Sequence, residues 1–165
     1  MSIILKNLLL GSKENASDIV FLKTHNITTV INITNDIDNY FEKDIKYINI
    51  KIEDSIDENL LNILDKYTNI INSELQNNNV FIHCNRGKSR SASFVIAYLL
   101  KFNNMNLYEA FNFVKNKRDI SPNIHFFKQL SDYEYKISNN RTFTVWEYMN
   151  KTEDEYKKFI EYFHK

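Results

Sequence analysis

One cysteine, one proline and two glycines are all that 165 residues contain of these three types. A lone cysteine excludes an internal disulfide and any metal site built from several thiolates. His25, His125 and His164 have no carboxylate or cysteine cluster near them in sequence, so neither a metal nor another cofactor is expected. Charge of one sign is lacking too: Lys+Arg and Asp+Glu both number 21, which speaks against a general nucleic-acid or membrane-surface binder. The longest apolar run, near residues 94 to 100, is too short to cross a bilayer. The first residues, MSIILKNLLLGSKE, carry neither a charged leader nor a small-residue cleavage site, so no signal peptide is expected. The sequon Asn140-Arg141-Thr142 then reads as coincidence, and the expected setting is the reducing cytoplasm. With so little glycine and proline, no linker or repeat interrupts the chain, and its length suits one domain.

What is present is an alternation of short apolar runs and helical patterns. Ile3-Leu5, Leu8-Leu10, Thr29-Ile33, Tyr47-Ile52 and Val80-His83 read as strands. Residues 18–25 and 59–75 between them read as helices. The second carries Leu60, Leu61, Leu64, Tyr67, Ile70 and Ile71 at the three-four spacing of an amphipathic face. Ser89 to Phe102 is almost wholly apolar, as in a buried central helix. Asn106 with Glu109 forms a capping-box start for a helix to Lys117, and Pro122 opens another over 123–137. Strands alternating with helices, then a block of helices, predict an α/β fold with a short central sheet of about five strands.

The chemistry concentrates in NVFIHCNRGKSRSAS, residues 79–93. A strand ends at His83-Cys84, and a loop of Asn85, Arg86, Gly87, Lys88 and Ser89 leads into a helix headed by Arg90 and Ser91. Such a loop can turn successive N–H groups inward to hold an anion, with the helix N-terminus behind it. Arg90 adds a planar cationic fork that fits two phosphate oxygens, and Gly87 supplies backbone freedom. The same positive field favours a thiolate, the form of cysteine that attacks. A thiolate aimed at a bound phosphate can take the phosphoryl group while the N–H groups and Arg90 stabilise its oxygens. The leaving oxygen needs a proton, and Glu53, Asp54 and Asp57 all stand after the fourth strand as candidate acids.

HCNRGKSRS resembles the His-Cys-x5-Arg-Ser signature of protein tyrosine phosphatases, in their dual-specificity branch. LLLGSKENA, ITTVINIT, YINIKIEDS and NLYEAFNFVKNKRDISPNIHFFKQLSDYE extend that resemblance over about residues 3 to 137. It implies a phosphatase fold and hydrolysis of phosphotyrosine and phosphoserine or phosphothreonine through a cysteinyl-phosphate. By the same resemblance Cys84 is the nucleophile, Arg90 the phosphate clamp and Asp54 the general acid. Ser91 is the hydroxyl bonded to the cysteine sulfur, Asn123 a buttress of the loop, and His83 a brace for it. The implied partner is a phosphorylated protein. Alanine is the family's usual residue where this chain has Arg86, and Lys88 adds a second cation. These two keep alternatives open: a phosphoinositide or RNA 5′-phosphate substrate, or a phosphate-binding module that does not hydrolyse.

Residues 1–140 are therefore expected to form the catalytic domain and 141–165 a helical extension outside the resemblance. Thr152 and Glu155 form a capping box there, and Tyr156, Phe159, Ile160 and Phe163 share one helical face. The extension is expected to pack on its own domain. The alternative is that the Trp146–Met149 and Phe159–Phe163 surfaces dock a second subunit or a substrate protein.

Overall fold

The computed structural model describes residues 1–152 together with 154, 155, 157, 158 and 161. Its five strands are β1 (Ser2–Leu5), β2 (Leu8–Gly11), β3 (Ile27–Asn32), β4 (Lys46–Asn49) and β5 (Asn79–His83). They form one sheet in the order β1-β2-β5-β3-β4, antiparallel between β1 and β2 and parallel elsewhere. The helices are α1 (Lys13–Ala16), α2 (Ile19–Thr24), α3 (Leu61–Leu75), α4 (Arg90–Phe102), α5 (Leu107–Lys115), α6 (Ile124–Ser138) and α7 (Val145–Tyr148).

Both faces of the sheet are covered, which is why its inner strands read as unbroken apolar runs. Leu8, Leu10, Ile31, Val80 and Ile82 point into the large core, which takes in residues from α3 through α7. Leu9, Val30 and Phe81 point the other way, onto Ala16 and Leu22 of α1 and α2. The alternation is that of a pleated strand. α4 lies at the centre of the large core, with every residue from Ser91 to Leu100 buried.

Helix starts agree with the capping chemistry. Asp18 accepts from the Phe21 N–H, Asn106 forms its box with Glu109, and the Asn123 side chain accepts from the Phe126 N–H. Helix ends use asparagine where glycine is scarce: the positive-φ non-glycine residues are Asn26, Asn104, Asn139 and Asn150. Asparagine tolerates the left-handed region better than other side chains do.

Four elements depart from the sequence pattern. β4 stops at Asn49 rather than Ile52, because its neighbour β3 ends at Asn32. The Ile50 N–H makes a last bond to Asn32 O, 2.9 Å, and the chain turns to bury Ile50 and Ile52 in the core. The α5 helix ends at Lys115 rather than Lys117. The short helices α1 and α7 carry too few residues to show a period.

Residues 143–148 bring the chain after residue 140 into the large core. Val145 is buried within it, and Phe143, Trp146 and Tyr148 pack against it. Tyr148 stacks on Phe127 with ring centroids 3.9 Å apart, and Phe143 meets Phe111 and Phe127 edge-on. Thr152 and Glu155 make the expected reciprocal cap. The face of Tyr156, Phe159, Ile160 and Phe163 lies outside the described residues.

Removing residues 141–165 strips Phe143, Val145 and Tyr148 from this core. The truncated chain is expected to lose at least about 3 kcal/mol of stability, since buried aromatic truncations alone cost that much. Urea denaturation of both chains measures it. An unchanged midpoint would mean that the segment contributes nothing to the core.

Candidate active site

The Cys84–Ser89 loop joins the end of β5 to the start of α4. Its carbonyls are fastened from behind by several parts of the chain. Asn85 O accepts from the Lys13 N–H (3.0 Å) and Lys88 O from the Ser121 N–H (2.9 Å). Arg118 spans the middle, with Nη2 donating to Arg86 O (2.8 Å) and Nε to Gly87 O (2.7 Å). Ser89 O is taken by the Ser93 N–H within α4. With its carbonyls held outward, the loop presents N–H groups to the sulfur side. The Gly87 N–H donates to Cys84 Sγ at 3.2 Å, and the Ser91 hydroxyl donates to the same sulfur at 3.1 Å.

Gly87 has φ +69°, and a Cβ there would sit 2.3 Å from the carbonyl oxygen of Gly11. The two glycines of the sequence therefore meet at this loop, where no larger residue fits.

Cys84 and Arg90 line one cavity of about 490 Å³, together with Asp54 and Arg86. Arg90 Nη1 donates to Ile52 O at 3.3 Å, tying the helix start to the segment that carries Asp54. Its Nε is buried with no hydrogen-bond partner among the described residues. Asp54 Oδ1 accepts from Ser89 Oγ (2.8 Å) and from Asn123 Nδ2 (2.6 Å). The other two acid candidates point elsewhere. Glu53 accepts from Asn35, its N–H is taken by Glu58, and Asp57 turns its N–H to Ser55. Asp54 is the only one of the three that lines the cavity.

The two extra loop cations, Arg86 and Lys88, are both exposed and both line the cavity, and Lys88 Nζ also forms an ion pair with Asp119. His83 is 1 % exposed and stacks on Phe81, and its Nδ1 lies 3.4 Å from Cys84 O. Burial first, against the hydrogen bond to Cys84 O, pulls its pKa down to about 4. The imidazole is neutral at pH 7 and so forms no ion pair with the cysteine. Among the described residues no group of His, Cys, Asp and Glu could hold a metal ion.

A family model for the dual specificity phosphatase catalytic domain matches residues 8–136. The chain belongs to the dual specificity phosphatase family. It is 40% identical over 135 residues to mouse protein phosphatase Slingshot homolog 1, covering 81% of this chain but 13% of that protein. It is 34% identical over 161 residues to mouse dual specificity protein phosphatase 18, covering 96% of this chain and 86% of that one. The family model ends at residue 136, close to the expected end of the resemblance, while the alignment with phosphatase 18 runs further along the chain. A crystal structure of human tyrosine phosphatase-like serine/threonine/tyrosine-interacting protein superposes with a TM-score of 0.79 at 34% identity, covering 83% of this chain and 97% of that one. As a dual specificity phosphatase, the chain is an enzyme that hydrolyses phosphoprotein substrates.

Two supports of the dual specificity phosphatase site escaped sequence reasoning. Arg118 carries no local signal, because it acts on carbonyls 31 and 32 residues away. Burial draws its pKa below the ordinary value, while the neighbouring Asp119 carboxylate works against that pull. Gln129 on α6 reaches the acid segment, accepting from the Leu61 N–H and donating to Glu58 O.

Two outcomes follow from this geometry. In Arg118→Ala the middle carbonyls of the loop lose their partners. A displacement of about 1 Å at the nucleophile costs on the order of 100-fold, so kcat/KM on an aryl phosphate is expected to fall 10- to 100-fold. A fall of under twofold would remove Arg118 from the site's support. His83 titrates lower in the folded chain than in the unfolded one, so the unfolded chain binds more protons between about pH 6.5 and 4. Stability therefore falls as pH drops through that window, by about 2 kcal/mol between pH 7 and pH 5. Urea denaturation of wild type and His83→Asn at both pH values measures it, and the variant should lose most of that dependence.

Proposed function

We propose that Cys84, Arg90, Asp54 and Ser91 carry a two-step hydrolysis of phosphotyrosine and phosphothreonine or phosphoserine in protein substrates. The phosphoryl group rests against the loop N–H groups, and Arg90 completes the cradle with its guanidinium. The Cys84 thiolate attacks phosphorus, so an S–P bond forms as the P–O bond to the side chain breaks. Asp54 gives its proton to the departing oxygen. Water then attacks the cysteinyl-phosphate, Asp54 takes a proton from it, and the S–P electrons return to sulfur as phosphate leaves. Ser91, donating to Sγ at 3.1 Å, stabilises the sulfur as it leaves. Asn123 and Ser89 orient the acid, and His83 braces the loop.

The observation that carries this reading is the Asp54 carboxylate on the same cavity as Cys84 and Arg90. A phosphate-binding module would need the cradle but not an acid held by two donors. The buried Nε of Arg90, without a protein partner, supports an oxyanion as the group it binds. Lys88 pairs with Asp119 at the surface while still lining the cavity beside Arg86, so the phosphoinositide and RNA substrates are included in the test. No helix among the described residues is long and apolar enough to cross a membrane. A reduced Cys84 is required for attack, which favours an intracellular, cytoplasmic setting. The apolar residues Phe143, Val145 and Tyr148 are engaged with their own core, which favours a C-terminal segment packed in cis over a homodimer through it. On this reading the catalytic unit extends past the 1–140 boundary.

The test is phosphate release from phosphotyrosyl and phosphothreonyl peptides, a phosphoinositide and a 5′-triphosphorylated RNA. Both peptides should be turned over by wild type and by no measurable amount in Cys84→Ser. Asp54→Asn should lose on the order of 100-fold, with the greater loss on phosphothreonine, whose alkoxide is the poorer leaving group. Turnover confined to the lipid or RNA would transfer the function to that substrate. No turnover by wild type would leave a phosphate-binding module.

A further inference from the structure

The peptide group between Pro122 and Asn123 is hydrogen-bonded at both ends. Its N–H donates to Ser89 Oγ at 3.0 Å, and Ser89 Oγ donates in turn to Asp54 Oδ1 at 2.8 Å. The Asn123 side chain reaches the same carboxylate oxygen at 2.6 Å. At the other end, Pro122 O accepts from the Tyr148 hydroxyl at 2.6 Å. Pro122 is buried and precedes the cap of α6, so its carbonyl has no place in the helix ladder and needs a partner from elsewhere.

We propose that Tyr148, in the C-terminal segment, is a positioning residue for the acid Asp54, acting through the Pro122–Asn123 peptide group. This rests on the reading of Asp54 as the general acid. The tyrosine is itself fixed. Its ring lies flat on Phe127, 3.9 Å between centroids and 6° between planes, and meets Phe111 edge-on. Burial pushes its phenol above the ordinary pKa, so the hydroxyl remains a donor across the working pH range. Hydrogen bonds at the two ends of one amide strengthen each other. The Tyr148 bond therefore fixes the plane of the peptide whose N–H holds Ser89, and it fixes the α6 cap from which Asn123 reaches Asp54. Without the hydroxyl, the ring stack and the fold persist, but this peptide is free to tilt. The carboxylate then loses its alignment to the leaving oxygen.

The experiment is a cycle of wild type, Tyr148→Phe, Asp54→Asn and the double variant. Each is assayed on aryl phosphates from p-nitrophenyl to phenyl phosphate and on a phosphothreonyl peptide. Tyr148→Phe should lower kcat on the poorer leaving groups about 3- to 10-fold, the worth of one hydrogen bond, with KM little changed. The loss should grow as the leaving group worsens, so that log kcat depends more steeply on leaving-group acidity. In the Asp54→Asn background the same substitution should add less than about twofold. A loss equal across the series, or one that multiplies fully with Asp54→Asn, would overturn the proposal and leave Tyr148 a packing residue. If Asp54→Asn itself keeps the wild-type slope, the acid assignment fails first and the proposal falls with it.

Discussion

A peptide loop that must show its N–H groups to an anion has to send its carbonyls the other way, and buried carbonyls need donors. In this protein that demand is met by groups far apart in the chain. The Lys13 N–H, the Arg118 guanidinium and the Ser121 N–H hold the carbonyls of residues 85–88 from behind. Much of the surrounding architecture follows from them. The short helix α1 begins with the residue whose N–H takes Asn85 O. The stretch between α5 and α6 supplies both Arg118 and Ser121. The contact between Gly11 and Gly87 lets the loop lie directly against the end of β2.

The Asp54 carboxylate obeys a second constraint, because a carboxylate on a solvent-exposed segment has no reason to hold one orientation. Asp54 acquires one from Ser89 on the loop and from Asn123 at the start of α6. Ser89 thus belongs to both halves of the site. Asn123 likewise caps α6 with its Oδ1 while its Nδ2 holds the acid. The aromatic cluster of Phe111, Phe127, Phe143 and Tyr148 then joins the C-terminal segment to the same helix start. Stability and catalytic geometry draw on the same contacts here, so losses at one are felt at the other.

The inner strands were legible because they are buried on both sides and so read as apolar runs, as in LLL and VFI of β2 and β5. The helix starts at Asp18, Asn106 and Asn123 were legible because a cap is a contact within three residues. The end of β4 was not, since the extent of an edge strand depends on how far its neighbour runs. α7 was not, since one turn of helix is held by packing against Phe127 and Phe111 rather than by its own period.

The same divide runs through the site. The sequence alone determined that Cys84 and Arg90 flank a five-residue loop between a strand and a helix, because that arrangement lies within seven consecutive residues. Its likeness to a known family pointed to Asp54, Ser91 and Asn123. Only the tertiary structure decided which carboxylate faces the cavity, which added cation is tied down by Asp119, and that Arg118 and Tyr148 stand behind the loop and the acid. Those pairings join residues 26 to 69 positions apart. At such separations no local pattern relates the partners; they meet because the sheet order and the buried helix α4 bring their segments to one end of the molecule.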